Sequence, residues 1–305
     1  MSFFAPPPEL ATEVFARLPE RLRLARRTIW SAVNRPGAPL HSFLEGPSFD
    51  RAGNLYLVDV PHGRIFRVSP SGEFDLIAEY DGEPNGLKIH RDGRIFIADY
   101  KQGILLLDPA SGRVTPFLER WRVERFKGVN DLVFAANGDL YFTDQGLTGL
   151  HDPTGRVFRH RADGRLECLV DTVPSPNGLV LNPAENLLYV AVTRANQVWR
   201  LPLLEDGGTT KVGVFVQLSG GGGPDGMAMD EAGNLSIAHV GFGTVWLVSP
   251  LGEPLYRIRS AAGLGTTNLA YGGPDNRDLY IVESESGTIL RCRLPVPGKR
   301  MYSHL

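Results

Sequence analysis

The chain is nearly without cysteine, carries no surplus of charge of either sign and contains no long apolar run, and each shortage removes a class of protein. Its two cysteines, Cys168 and Cys292, stand far apart and fit neither a CxxC pair nor a zinc spacing. They read as packed free thiols in a reducing compartment. A formal net charge of −2 with 22% charged residues offers no field that would gather nucleic acid or an anionic membrane surface. No stretch approaches the roughly 18 apolar residues of a membrane-crossing helix, and the start MSFFAPPPEL lacks the basic residues and apolar run of a secretory signal. These absences predict a soluble, cytoplasmic protein, a monomer or small homo-oligomer, with neither nucleic acid nor membrane as a partner. Familiar catalytic signatures are missing too. There is no GxSxG, no HExxH and no P-loop, since the run SGGGGPDG at Ser219 to Gly226 is not followed by Lys-Ser or Lys-Thr.

What the chain has in quantity is a repeat. The outline of FLEGPSFDRAGNLYLVD, Phe43 to Asp59, returns five more times, with its second apolar run recurring as GRIFIAD, GDLYFTD, NLLYVAV, GNLSIAH and RDLYIVE. Each copy holds short runs of Val, Ile, Leu, Phe and Tyr separated by Gly, Asp-Gly or Ser-Gly, which is strand chemistry with turns between. Four antiparallel strands per copy make a propeller blade, and the copies fall within the roughly 40–50 residues of propeller repeats. The expected fold is therefore all-β, a six-bladed β-propeller of four-stranded antiparallel blades over residues 39–305, preceded by a 1–38 N-terminal extension.

The sixth copy stops at VPGKRMYSHL without a fourth strand. An N-terminal strand from about Ile29 to Phe43 is expected to complete it, closing the ring and removing an exposed edge. Within the extension, Leu10, Val14 and Leu18 fall four residues apart before Pro19, which predicts a short helix. Arg21, Arg23, Arg26 and Arg27 read as a solvated face.

Aligning the copies on their second runs brings Glu45, Asn85, Asn130, Asn177, Asp225 and Thr267 into one column. In a propeller the first strand of each blade lines the central channel, so this column converges on the axis. Asn and Asp also make ordinary turns, and that explains Asn85 as well as a site does. Two carboxylates driven toward one axis are a different matter, because they repel and lose hydration unless a cation lies between them. Glu45 and Asp225, with the amide oxygens of Asn130 and Asn177, would balance one divalent ion. Oxygen ligands favour Ca²⁺, Mg²⁺ or Mn²⁺, with zinc and iron still compatible. Asp59, Asp99 and Asp144 recur at the ends of second strands and read as turn stabilisers. His239 takes the equivalent place in the fifth copy and reads more readily as a hydrogen-bonded structural residue than as a proton shuttle.

The loops on the same face as the column carry Tyr100, Gln145 to Pro153, Arg194, His239 to Phe242 and Glu285. The longer connection LERWRVERFKG brings Trp121, Arg122, Arg125, Phe126 and Lys127 toward that rim as a partial lid. Asn85, Trp121, Phe126, Lys127, Asn130, His239 and Phe242 form the candidate substrate-binding set.

The segments EGPSFD, PNGL, VNDLVF, SPNGLVLN and GPDGMAMDEAGNL, in this order, resemble the senescence marker protein/gluconolactonase family of regucalcin-like propellers. That resemblance implies one divalent metal in the channel, Ca²⁺ first among the alternatives, and hydrolysis of lactones, chiefly sugar lactones. It implies Glu45, Asn177 and Asp225 as core metal ligands, Asn130 as ligand or substrate contact, and Asp225 as general base. The chain departs from the Arg-x-Asn pattern of sugar-lactone members, since Gly128 precedes Asn130 by two, leaving Lys127 or Arg125 as stand-ins and admitting a less polar lactone. A metal-dependent phosphotriester or fluorophosphate hydrolase, and a non-catalytic calcium-binding propeller, are the alternatives on the same column.

Overall fold

The β-branched and aromatic runs become strands where expected, for example Leu55–Asp59, Ile95–Asp99 and Leu140–Asp144. A computed structural model of the chain describes residues 4–37 and 40–305, and the boundary drawn between residues 38 and 39 lies outside the described residues. Apart from one two-stranded hairpin, the strands among the described residues form six sheets arranged as the blades of a propeller, each with four antiparallel strands. The first strands of the blades are Leu44–Phe49, Pro84–Ile89, Val129–Phe134, Pro176–Leu181, Gly223–Met229 and Thr266–Gly272. Each pairs with the second strand of its own blade, and apolar side chains fill the space between neighbouring sheets. Val58, Ile65, Leu87 and Ile97, for instance, join the first two blades in one buried cluster. No helix among the described residues is long and apolar enough to cross a membrane.

An N-terminal strand does close the ring, but from a different segment than expected. Glu13–Arg17 pairs antiparallel with Thr288–Arg293 and is the outer strand of the sixth blade. Glu9–Ala11 adds a parallel fifth strand to the outer edge of blade five, beside Pro254–Arg259. The helix expected near Leu10 to Leu18 is therefore a pair of strands, and Ile29–Asn34 in the segment expected to be the strand is a short helix, capped by Thr28. The four-residue spacing misled because a free sheet edge supplies partners that a local pattern cannot show, and tertiary pairing overrides so short a period. A bulge between Val14 and Ala16 breaks the alternation of the strand, leaving Ala16 and Leu18 inside and Val14 39% exposed.

The far end of the channel is closed. Lys299 to Tyr302 crosses it, with the Lys299 N–H donating to the Met229 carbonyl at 2.8 Å and the Tyr302 ring stacked on Phe134 at 5.2 Å. A small cavity of about 80 Å³ remains above this plug, lined by Lys88, Met227, Met229 and Tyr271 among others. This segment covers the end of the channel away from the column.

The closing segment yields a stability prediction. Leu18 is 1% exposed in the cluster that joins the first and last blades. Leu18→Ala is expected to cost about 2–4 kcal/mol in urea unfolding, and Val14→Ala less than about 1 kcal/mol. Equal small losses would show that the N-terminal strand contributes little to closure.

Candidate functional site

Every blade interrupts its pairing at the same place. The register between first and second strands shifts between Glu45 and Ser48, Pro84 and Gly86, Val129 and Leu132, Pro176 and Leu179, Pro224 and Met227, and Thr266 and Asn268. Such a bulge re-aims side chains locally and is frequent beside sites. The residue after each column position is Gly46, Gly86, Asp131, Gly178, Gly226 or Asn268. The glycines are required by close approach: a Cβ on Gly46 would lie 2.7 Å from the Asn85 carbonyl oxygen, and one on Gly178 would lie 2.4 Å from that of Asp225. Where glycine is absent, Asp131 and Asn268 put polar side chains against the neighbouring blade, against Gly86 and Gly226 respectively.

A carboxylate clasp holds four of the column positions. The N–H two residues before the column donates to the acid at the end of the second strand: Phe43 to Asp59 at 2.7 Å, Glu83 to Asp99 at 2.9 Å, Gly128 to Asp144 at 2.8 Å and Gly265 to Glu283 at 2.9 Å. Arg64 and Arg156 donate from the other side to Asp59 and Asp144, with Nε at 2.9 and 2.8 Å. The structural reading of Asp59, Asp99 and Asp144 agrees with these bonds. They place the column without belonging to it.

Within the channel, Glu45 is 2% exposed and Oε2 accepts from the Gly46 N–H at 2.9 Å and from Asn268 Nδ2 at 2.8 Å. Burial raises its pKa to about 7, with Thr267, Gly46 and Asn268 opposing by hydrogen bonds and Asp131 adding to the rise. Asp225 is pushed well above the usual carboxylate range, first by burial, then by Glu45 and Asp131, while Arg35 and Arg194 pull the other way. Asp131, also raised by burial, is opposed mainly by Lys88. Three acids therefore share one poorly hydrated space.

Asn130 supplies the sharpest feature. Its Nδ2 donates to Gln145 Oε1 at 2.9 Å, and Gln145 Nε2 donates to Ser175 Oγ at 3.0 Å. That relay fixes the amide and leaves Asn130 Oδ1 buried with no hydrogen-bond partner. A buried acceptor without a donor costs about 1–3 kcal/mol, unless something that accepts its lone pair belongs there. A hard cation is a group that would satisfy it, since such ions take amide and carboxylate oxygens as ligands. The described residues contain no ready cluster of three His, Cys, Asp or Glu side chains. The donor set is instead one of carboxylates mixed with amide oxygens, the latter from Asn130 and the buried Asn177.

The remaining predicted residues divide. Asn85 donates through Nδ2 to the Asn130 carbonyl at 3.1 Å, tying two blades at the column. Thr267, at the sixth position, is bonded to Ser284, which in turn donates to the Leu44 carbonyl at 2.6 Å. Trp121 and Phe126 pack edge-on against Phe158 at 5.5 and 5.4 Å, so the aromatics of the expected lid anchor a small hairpin, Arg120–Trp121 with Glu124–Arg125, to blade three. Lys127 is exposed and bonded to Thr154. His239 is buried, accepts from Trp246 Nε1 at 3.2 Å and reaches the Gly220 carbonyl with Nε2 at 2.9 Å, which uses both ring nitrogens. Phe242 stacks on it at 4.8 Å. At Gly128 the Tyr100 ring lies 2.7 Å from where a Cβ would stand, so a larger residue does not fit. Asp131, Asn268 and Arg35 are the contributors that motif reading passed over, and Gln145, read only as a rim residue, orients Asn130. The first two carried a signal, as the only non-glycines one residue past the column.

Residues 43–285 match the family model described as SMP-30/Gluconolactonase/LRE-like region. The chain is 32% identical to the gluconolactonase of Zymomonas mobilis over 83% of this chain and 79% of that one. It is 31% identical to the lactonase drp35 of Staphylococcus aureus over 75% of this chain and 72% of that one. Among solved structures, a calcium-binding protein, regucalcin, from Agrobacterium tumefaciens superposes with TM-score 0.76 at 23% identity, covering 86% of this chain and 94% of its own.

The buried acids make a pH prediction. A carboxyl whose folded pKa is raised stabilises the fold below its unfolded pKa and loses that contribution as pH rises through its folded value. Metal-free protein should therefore lose several degrees of Tm between about pH 5 and pH 8. In Glu45→Gln the fall should be shallower, because the variant removes one acid and one like charge beside Asp225. Parallel Tm curves for the two proteins would overturn the assignment of a shared, poorly hydrated acid cluster.

Proposed function

Because the chain belongs to the SMP-30/gluconolactonase/LRE-like family, we propose that it hydrolyses a lactone at the blade column, with Glu45, Asn130, Asn177 and Asp225 holding one divalent cation, Ca²⁺ first among the alternatives. The observation that carries the reading is the pinned, unpartnered Asn130 oxygen in a column that also holds the buried Glu45 and the half-buried Asp225. The names of the curated relatives, a gluconolactonase and a lactonase, support the reaction class. The regucalcin neighbour supports calcium.

The cation, when bound, supplies a Lewis acid for the charge that develops on the carbonyl oxygen. The chain's own residues do the rest. Asp225, half-buried at the column, accepts the proton of the attacking water as the new C–O bond forms. The ring C–O bond then breaks, and the departing alkoxide takes that proton back from Asp225, giving the hydroxy acid. Asn268 and Gly46 keep Glu45 from swinging, through the two bonds to its Oε2. Gln145 and Ser175 hold the Asn130 amide in one orientation.

Metal-stripped protein should regain hydrolysis of a lactone panel on restoring Ca²⁺, Mg²⁺, Mn²⁺, Zn²⁺ or Fe²⁺ in turn, and Asp225→Asn should lower kcat at least about 10²-fold. Near-normal turnover by the variant would remove Asp225 from this role. Turnover of phosphotriesters instead of lactones would reassign the substrate class, and metal binding without either activity would leave a binding propeller. Gln145→Ala, which frees the Asn130 amide, should weaken metal binding by about 10-fold in calorimetric titration while leaving Tm of the metal-free protein near normal. Unchanged affinity would show that Asn130 Oδ1 is not a ligand.

A further inference from the structure

The column explains the floor of the channel but not its mouth, where Arg194 stands without an acidic partner among the described residues. The charge of Lys88 offsets that of Asp131. Arg35, brought to the rim just after the helix Ile29–Asn34, is paired with Glu285 at 3.0 Å and lies over the Phe43 ring. Arg194 is exposed and has neither a hydrogen bond nor an ion pair among the described residues.

Its place is nevertheless fixed. Arg194 sits in the turn Thr193–Ala195, which ends at Asn196 in the left-handed conformation. The neighbouring Thr193 donates through Oγ1 to the carbonyl of Pro224, the residue before Asp225, at 2.8 Å, and its N–H donates to Ser175 O at 3.1 Å. A Cβ on Gly223 would lie 2.1 Å from the Thr193 carbonyl oxygen, so the turn and the Asp225 strand are pressed backbone to backbone. On its other side the Arg194 stem lies against blade three, with Cγ 3.7 Å from where a Cβ of Gly149 would stand. The positive charge reaches Tyr100, opposing the upward displacement of its hydroxyl.

We infer that Arg194 is a specificity-determining residue at the channel mouth and that the lactone taken by this site carries a carboxylate. The inference rests on the lactonase reading and extends it. Arg35 is answered by Glu285 and Lys88 offsets Asp131, whereas the guanidinium of Arg194, held beside the Asp225 strand, has no acidic partner among the described residues and is placed to meet an anionic group of the substrate. Arginine meets a carboxylate with two parallel N–H donors, which orients the ligand as well as attracting it. Held to the Asp225 strand through Thr193, that fork sets the distance between the substrate's anionic group and its carbonyl carbon.

The test uses the metal-loaded full chain and a pair of lactones alike except that one bears a free carboxylate and the other its primary amide. The expected KM is about tenfold lower for the carboxylate, the effect of one charge-assisted pair. Arg194→Gln should raise KM for the carboxylate about tenfold, with kcat nearly unchanged and the amide unaffected. Arg194→Lys should restore part of the preference, and raised salt should erode it in the native chain. Equal KM values for the two lactones, or a loss in Arg194→Gln that is the same for both, would overturn the inference while leaving lactone hydrolysis standing. Failure to hydrolyse either compound would overturn the lactonase reading and this inference with it.

Discussion

Six strands meet around one axis at a distance that leaves no room for a side chain at four of the six positions next to the column, and the rest of the molecule answers to that crowding. Glycine is forced at 46, 86, 178 and 226 by the neighbouring strand or the side chain it carries. The bulges follow from the same requirement, since a regular ladder would send alternate side chains to opposite faces of each blade rather than gathering one kind at the axis. Asp131 and Asn268 occupy the space that the glycines vacate.

Crowding also sets the electrostatics. Glu45, Asp131 and Asp225 are brought together where water is scarce, and the fold spends stability on holding them there, as their raised pKa values record. Proteins keep such arrangements where the charge is used. The clasps at Asp59, Asp99, Asp144 and Glu283 belong to a second, outer ring of acids, each satisfied by backbone N–H groups and two of them also by arginine. Two rings of similar residues thus differ in state: the outer is satisfied by backbone and arginine donors, and the inner keeps its acids where burial raises their pKa values.

The propeller, its six blades and the column were legible in the chain because they rest on patterns that repeat, and six copies of a weak signal outweigh the ambiguity of one. The family resemblance added a substrate class to that pattern. What was not legible was whatever occurs once. Glu13–Arg17 became a strand because the outer edge of blade six was free, and no window of ten residues contains that edge. Trp121 and Phe126 lie on a loop near the rim, yet the rings of blade three absorb them. His239 occupies the position of the clasping acids but spends both nitrogens inside blade five. Gln145 was visible only as a rim residue, and its orientation of Asn130 depends on a side-chain relay across two blades.

The closure has a consequence in time. The outer strand of blade six and its partner meet across 278 residues, as the Glu13–Arg291 contact shows. A ribosome makes one side of that seam long before the other, so blades one to five can form in order while Glu13–Arg17 waits, solvated, for a partner not yet synthesised. The parallel strand Glu9–Ala11, which docks on blade five, gives the waiting segment an earlier landing place. The seam is also where a finished ring would first reopen, since it joins the ends of the chain rather than a hairpin whose two strands stay tethered.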